Sequence, residues 1–238
     1  HFYVGSLSLK TLRALSGVQP RTIEDRRASK TAGYQRTHDE DRLSKIGRYL
    51  EYGFPLSTEG GLDPQAHTEL VNPGWLPTSI LVNVLGPNET RTRKGKERTV
   101  VPADLVNIAA NGQFYQLNFP VTDVDPAQAL PPLEIVDGQH RLLATDLIDL
   151  PDDYEVPVVM FDNLPLTWQA YLFWVINVEP KRINTSLAFD LYPELRDQEW
   201  LKRGESIKIY QEHRSQELAE VLWRNPSSPW KDRIELFG

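Results

Sequence analysis

At 238 residues, with 40% hydrophobic and 25% charged side chains, the chain is long enough to bury a substantial core and reads as globular. It contains no cysteine, which excludes a disulfide framework, thiolate catalysis and cysteine-bound zinc; with no signal peptide and no apolar run of membrane-spanning length in view, a cytoplasmic protein without membrane attachment is expected. The net charge of −7 argues against a uniformly nucleic-acid-binding surface, but residues 1–100 hold 15 Lys/Arg against 11 Asp/Glu and residues 101–238 hold 11 against 22, which suits one basic and one acidic face as well as two differently solvated halves.

In chain order, "HFYVGSLSLKTL" alternates like an edge strand running into a helix start, and residues 21–36 show no clean period. "HDEDRLSKIGRYLEYG" predicts a helix, with Leu43, Ile46 and Leu50 on one face, acids at the start and Gly53 as its stop. "PTSILVNVL" predicts a buried strand, "GPNETRTRKGKER" a basic loop, "GQFYQLNFPV" a half-buried strand, and "VTDVDPAQALPP" a loop. "LEIV" is a short buried strand and "YEVPVVMFD" another; "LTWQAYLFWVINV" is an apolar helix whose Trp168, Tyr171, Phe173 and Trp174 are expected to pack. "NTSLAFDLYPEL" begins with a Ser/Thr helix cap, and residues 198–224 read as a long amphipathic helix. The order is mixed α/β with a helix-rich last third.

The stretch "EIVDGQHRLLAT" carries the chemistry. With a strand over 133–136 and a helix over 141–150, Asp137 and Gly138 make the turn between them, Asp as a good N-cap and Gly for the unusual backbone angles. Gln139, His140 and Arg141 then fall in a first helical turn, whose free N–H groups attract anions, and Arg141 offers a planar fork suited to phosphate. A carboxylate repels phosphate, so Asp137 has four readings: it holds magnesium, accepts a ribose hydroxyl, orients a water, or caps the helix. The bland alternative is a turn with solvated polar residues and no ligand.

Asp137-Gly138-Gln139-His140-Arg141 resembles the motif of the DGQHR-domain family, the DndB- and DpdB-like proteins of DNA phosphorothioation and 7-deazaguanine modification systems. Supporting pieces are Tyr34-Gln35-Arg36, the helix "RLSKIGRYL", the strand "SILVNV", "VPVVMFDNL", and "FWVINVEPKRINTSLAFDL" with Asn177, Lys181 and Arg182; the likeness spans roughly residues 34–192. It implies a ParB/sulfiredoxin-like α/β (α+β) fold with a mixed sheet core and a helical C-terminal part, divided as a domain over 1–192 and a helical segment over 193–238. It also implies binding of ATP or another nucleoside triphosphate with Mg, hydrolysis of that nucleotide, and work on or near DNA beside other proteins of such a system, within reach of homo-oligomer formation. On that reading Asp137, Gln139, His140 and Arg141 are catalytic, with Asp137 the metal ligand. Gly138, Gln35, Arg36, Asn177, Lys181 and Arg182 bind nucleotide, the last five as a second wall that neutralises a triphosphate from the other side.

Arg91, Arg93, Lys94, Lys96 and Arg98 form a basic run around Gly95, expected as a loop that grips a DNA backbone without reading bases, or as a solvated loop. The five histidines are scattered without ligand spacing, and there is no Walker A sequence or Gly-x-Ser-x-Gly elbow, so nucleotide chemistry would fall to the DGQHR turn. Two rivals stand beside the nucleotide hydrolase: a non-catalytic DNA-binding repressor and a DNA nickase.

Overall fold

The computed structural model describes residues 1–18, 39–58, 61–87, 89–93, 96–120, 129–177 and 208–234. The chain divides into two compact units, one of His1–Glu51 with Gly74–Glu179, the other of Tyr52–Pro73 with Pro180–Gly238. The expected boundary between residues 192 and 193 lies outside the described residues.

The first unit is built on a mixed five-stranded sheet. Its strands are β1 (Phe2–Ser8), β2 (Ser16–Gly17), β3 (Ile80–Val84), β8 (Leu133–Asp137) and β9 (Glu155–Asp162), in the spatial order β1-β9-β3-β8-β2. β1 runs antiparallel to β9, β9 parallel to β3, β3 antiparallel to β8, and β8 parallel to β2. β3, β8 and β9 are strands because β-branched and aliphatic residues dominate them and each is bounded by polar or Gly/Pro-rich chain. Two hairpins complete the β structure: β4 (Thr90–Arg93) with β5 (Lys96–Thr99), and β6 (Asn107–Asn111) with β7 (Phe114–Asn118). The basic run is thus an antiparallel hairpin rather than a loop. β6 has no apolar alternation strong enough to stand out; its pairing with β7 and the positive φ of Gly112 at the turn define it.

One face of the sheet is the main core. Val82, Val84, Leu133, Ile135, Val156, Val158 and Met160 meet Leu9, Leu12 and Leu15 of helix α1 (Leu9–Leu15), each of these aliphatic side chains contributing about 1.5–3 kcal/mol by burial. Ser8 caps α1 by accepting the Thr11 N–H at 3.1 Å. α2 (Glu40–Tyr52) buries Leu43, Gly47 and Leu50 and ends at Gly53, whose φ is +65°. A Cβ on Gly47 would come within 3.3 Å of Ile148, so α2 lies close to the chain that follows the DGQHR turn.

Helix α4 (Leu166–Asn177) crosses the opposite face. At its start, Asn83 of β3 accepts the Leu164 N–H at 2.6 Å; at its end, Asn177 reaches Asp137 of β8. Its aromatic residues do not all pack: Trp168, Tyr171 and Trp174 are 57%, 53% and 48% exposed. A helix apolar on every side buries only the residues facing the sheet, and periodicity could not tell which those were.

In the second unit, Leu56 and Leu70 are buried against Tyr52, Phe54, Leu62 and Val71, and α5 (Lys208–Arg224) carries the ion pairs Arg214–Glu217 and Arg224–Glu220. The helix expected over 198–224 is seen from Lys208; residues 198–207 lie outside the described residues, as do "NTSLAFDLYPEL" and 21–36.

Candidate functional site

β8 does not run straight into the DGQHR turn. Val82 faces Ile135, but Leu81 faces Asp137, so Val136 is an extra residue inserted opposite a single step of β3. The consequence follows from strand periodicity. Glu134 and Asp137 are three positions apart, and strict alternation would place them on opposite faces. The one-residue bulge puts both on the face crossed by α4, while Leu133 and Ile135 stay in the core.

Gly138 follows with φ +99°, and a Cβ there would lie 3.1 Å from both γ-carbons of Ile80 and 3.1 Å from Arg141 Nη2. Glycine is therefore demanded twice, by the backbone and by the space. Gly138, not Asp137, occupies the N-cap position of α3 (Gln139–Leu143), which continues as a 3₁₀ turn over Ala144–Leu147. The helix expected over 141–150 is thus shorter and begins earlier.

Freed from capping, Asp137 is held from two sides. Its Oδ2 accepts Arg141 Nη2 at 3.0 Å and its Oδ1 accepts Asn177 Nδ2 at 3.4 Å. Arg141 Nη1 donates to the Thr78 carbonyl and to Thr78 Oγ1. Arg141 is therefore a strut joining the turn to the segment before β3, not a fork standing free in solvent. Burial pushes its guanidinium below the ordinary value; Asp137 opposes that and the neighbouring charge of Arg42 adds to it.

Asp137 and Arg141 line a cleft of about 700 Å³ whose other lining residues include Arg42, Lys45, Ile46 and Tyr49 of α2, Leu76 and Leu81. Arg42 and Lys45 are exposed; with Arg141 and Asp137 they are the charged residues of a lining that is otherwise largely apolar. Tyr49 is fixed in place: its hydroxyl accepts the Trp75 N–H at 3.2 Å, and any Cβ on Gly74 would collide with its ring at 2.6 Å.

The expected site residues are distributed as follows. Asp137 and Arg141 line the cleft, and Asn177 touches Asp137. Gln139 is buried, and His140 accepts the Asp39 N–H at 3.4 Å through Nε2; neither is among the cleft-lining residues. Gln35, Arg36, Lys181 and Arg182 lie outside the described residues. Arg42 and Lys45 were legible only as a stripe, Arg42, Lys45, Ile46 and Tyr49 at i, i+3, i+4 and i+7; nothing in the sequence said that it faces the turn.

Arg91 is a correction to the basic run. It is 7% exposed, and its Nε and Nη2 donate to Glu134 Oε1 and Oε2, each at 2.9 Å, while Nη1 donates to Glu89 Oε2 at 2.6 Å. A buried, doubly paired guanidinium has no surface left for a phosphate. Burial alone would lower Arg91, but the hydrogen bonds and charge of Glu134, then those of Glu89, outweigh it and raise the guanidinium. Lys96 is exposed, Arg98 is half-buried, Arg93 belongs to β4, and Lys94 lies outside the described residues. No group of three or more His, Asp or Glu able to hold a metal occurs among the described residues, and no described helix is long and apolar enough to cross a membrane.

Fold and site together define a mixed α/β protein with a cation-lined cleft at a bulged strand-to-helix turn. No family model and no curated protein matches the sequence. Among solved structures, the chain is similar to the C-terminally truncated chromosome-partitioning protein ParB from Caulobacter crescentus, complexed with CTP-γ-S, at 14% identity and a TM-score of 0.37. The match covers 82% of this chain and 63% of that one. At that level of likeness the site rests on its own geometry.

Proposed function

We propose that the cleft binds a nucleotide, with its phosphates between Arg42, Lys45 and the Asp137–Arg141 turn and its base or sugar against the apolar wall. The observation that carries this is that three cations from two separate elements line one cleft whose other lining includes Ile46, Tyr49, Leu76 and Leu81. A ligand that is anionic at one end and flat and apolar at the other fits such a site. Asp137 suits a magnesium ion that travels with the phosphates, because magnesium takes one or two protein carboxylates and completes its shell with phosphate oxygens and water.

The finer reading, a nucleoside-triphosphate hydrolase acting on or near DNA within a DNA-modification system, draws on the resemblance of residues 137–141 to the DGQHR motif. ATP is the nucleotide that this resemblance favours. Bound magnesium would supply charge neutralisation at the phosphates. Asp137 would hold it, Arg141 and Asn177 would orient Asp137, and Arg42 and Lys45 would neutralise the remaining phosphate charge. The test is equilibrium binding of ATP, CTP and GTP with and without magnesium, followed by phosphate release with and without DNA. Saturable binding that is lost in Arg42→Ala/Lys45→Ala is expected; no binding of any of the three nucleotides overturns the reading.

A further inference from the structure

The Arg91–Glu134 pair is expensive to bury. Glu134 is 1% exposed and Arg91 7%, and a buried ion pair of this kind is often no more stabilising than apolar residues of the same volume. Its best-attested use is to specify one arrangement among several. The sequence around it shows what has to be specified. Leu133, Ile135 and Val136 are fully buried, so apart from Glu134 the run 133–136 fits either face of the sheet. A straight strand that kept Asp137 opposite Leu81 would set Val136 opposite Val82, and the bulge would vanish. Apolar burial hardly distinguishes the two registers. What does is Glu134, which a straight strand would turn into the aliphatic core.

We propose that Arg91 is a positioning residue for the DGQHR turn: by holding Glu134 on the α4 face it fixes the bulge at Val136, and with it the aim of Asp137. Two carboxylates three residues apart are each pinned by an arginine, Glu134 by Arg91 and Asp137 by Arg141, and only a bulge satisfies both. The hairpin β4–β5 is thereby fastened to the strand that carries the cleft's carboxylate. Its basic residues Lys96 and Arg98 share that hairpin with Arg91.

The absence of cysteine makes the register directly measurable. Two reporter pairs are introduced separately and oxidised: Val82→Cys with Ile135→Cys, which face each other in the bulged register, and Val82→Cys with Val136→Cys, which face each other only in the straight one. With Arg91 and Glu134 intact, the first pair should cross-link and the second should not. In an Arg91→Met/Glu134→Met background the second pair should cross-link at least as well as the first. Glu134→Gln, which keeps one of the two acceptors for Arg91, should retain the first pattern. The consequence for ligand rests on the function proposed above: ATP should bind at least tenfold more weakly to Arg91→Met/Glu134→Met, with Arg42 and Lys45 untouched. The cross-linking needs no ligand, so it stands even if no nucleotide binds. Cross-linking confined to the first pair in the double-methionine background would overturn the proposal. So would loss of cooperative unfolding in that background, because the pair would then be holding the sheet together rather than choosing its register.

Discussion

Asp137 and Asn177, forty residues apart, meet at 3.4 Å between Oδ1 and Nδ2, while Asp137 Oδ2 is taken by Arg141. The last residue of α4 and the last residue of β8 therefore close on the same carboxylate, which has one charged and one neutral partner. A carboxylate in a cleft that three cations also line is suited to a metal–phosphate ligand, and this shapes what its removal should do.

Asp137→Asn keeps the shape and removes the charge. Without magnesium, nucleotide should bind a few-fold more tightly, since a unit charge about 4 Å away is worth about 1 kcal/mol in water. With magnesium, the wild-type protein should gain affinity and the variant should not. Isothermal titration in both conditions reads this; an equal magnesium gain in the two proteins would remove Asp137 from the metal's shell.

Arg42 and Lys45 are exposed residues of α2. Alanine at each should leave the melting temperature nearly unchanged, while each lost charge-assisted contact should cost about 1.5–3 kcal/mol of binding, about ten- to a hundredfold. Salt should weaken the wild-type complex more steeply than that of the double variant. Unaltered affinity would place the ligand elsewhere.

Arg141→Ala should destabilise the fold as well as the site, because it removes the bonds to Thr78 and leaves Asp137 half-buried without its cation. A loss of about 1–3 kcal/mol is expected, read as a lower denaturant midpoint. Arg141→Lys should recover little, since one ammonium cannot span Thr78 and Asp137 in the same geometry. Gly138→Ala should cost about as much, through the positive φ and the 3.1 Å approach to Ile80.

Tyr154 gives the stability an alkaline limb. Its hydroxyl donates to the Gly74 carbonyl at 2.6 Å, and its pKa is raised by burial first and by Tyr49 second. A group whose folded pKa lies above the unfolded value contributes stability that is complete below the unfolded value, about 10 for tyrosine, and is lost as pH rises through the folded value. Tyr154→Phe should be less stable than wild type at neutral pH and should lose less between pH 9 and 11. Tyr3 is shifted in the same direction, so the comparison is the difference between the two curves. Parallel curves would show that Tyr154 ionises as readily folded as unfolded.

The sequence by itself determined the central strands and two long helices of the first unit and the identity of its turn. Alternation and β-branched runs marked β3, β8 and β9, helical spacing marked α2, a long apolar run marked α4, and Asp-Gly between an apolar run and a leucine-rich period marked the strand-to-helix turn. These signals are local, because hydrophobic period and turn chemistry act within a few residues. What only the tertiary structure decided is which charges meet. A basic run read as one loop, gripping a DNA backbone or solvated, came apart, Arg91 going into the interior against Glu134 because a buried carboxylate needs a partner. One wall of the cleft comes from a stripe of α2 whose orientation is set by Leu43 and Leu50 packing behind it. The face on which Asp137 emerges was decided by a single inserted residue, Val136. Period two allows only one answer for a straight strand, and a bulge, which depends on the partner strand and on what Glu134 and Asp137 each require, reverses it.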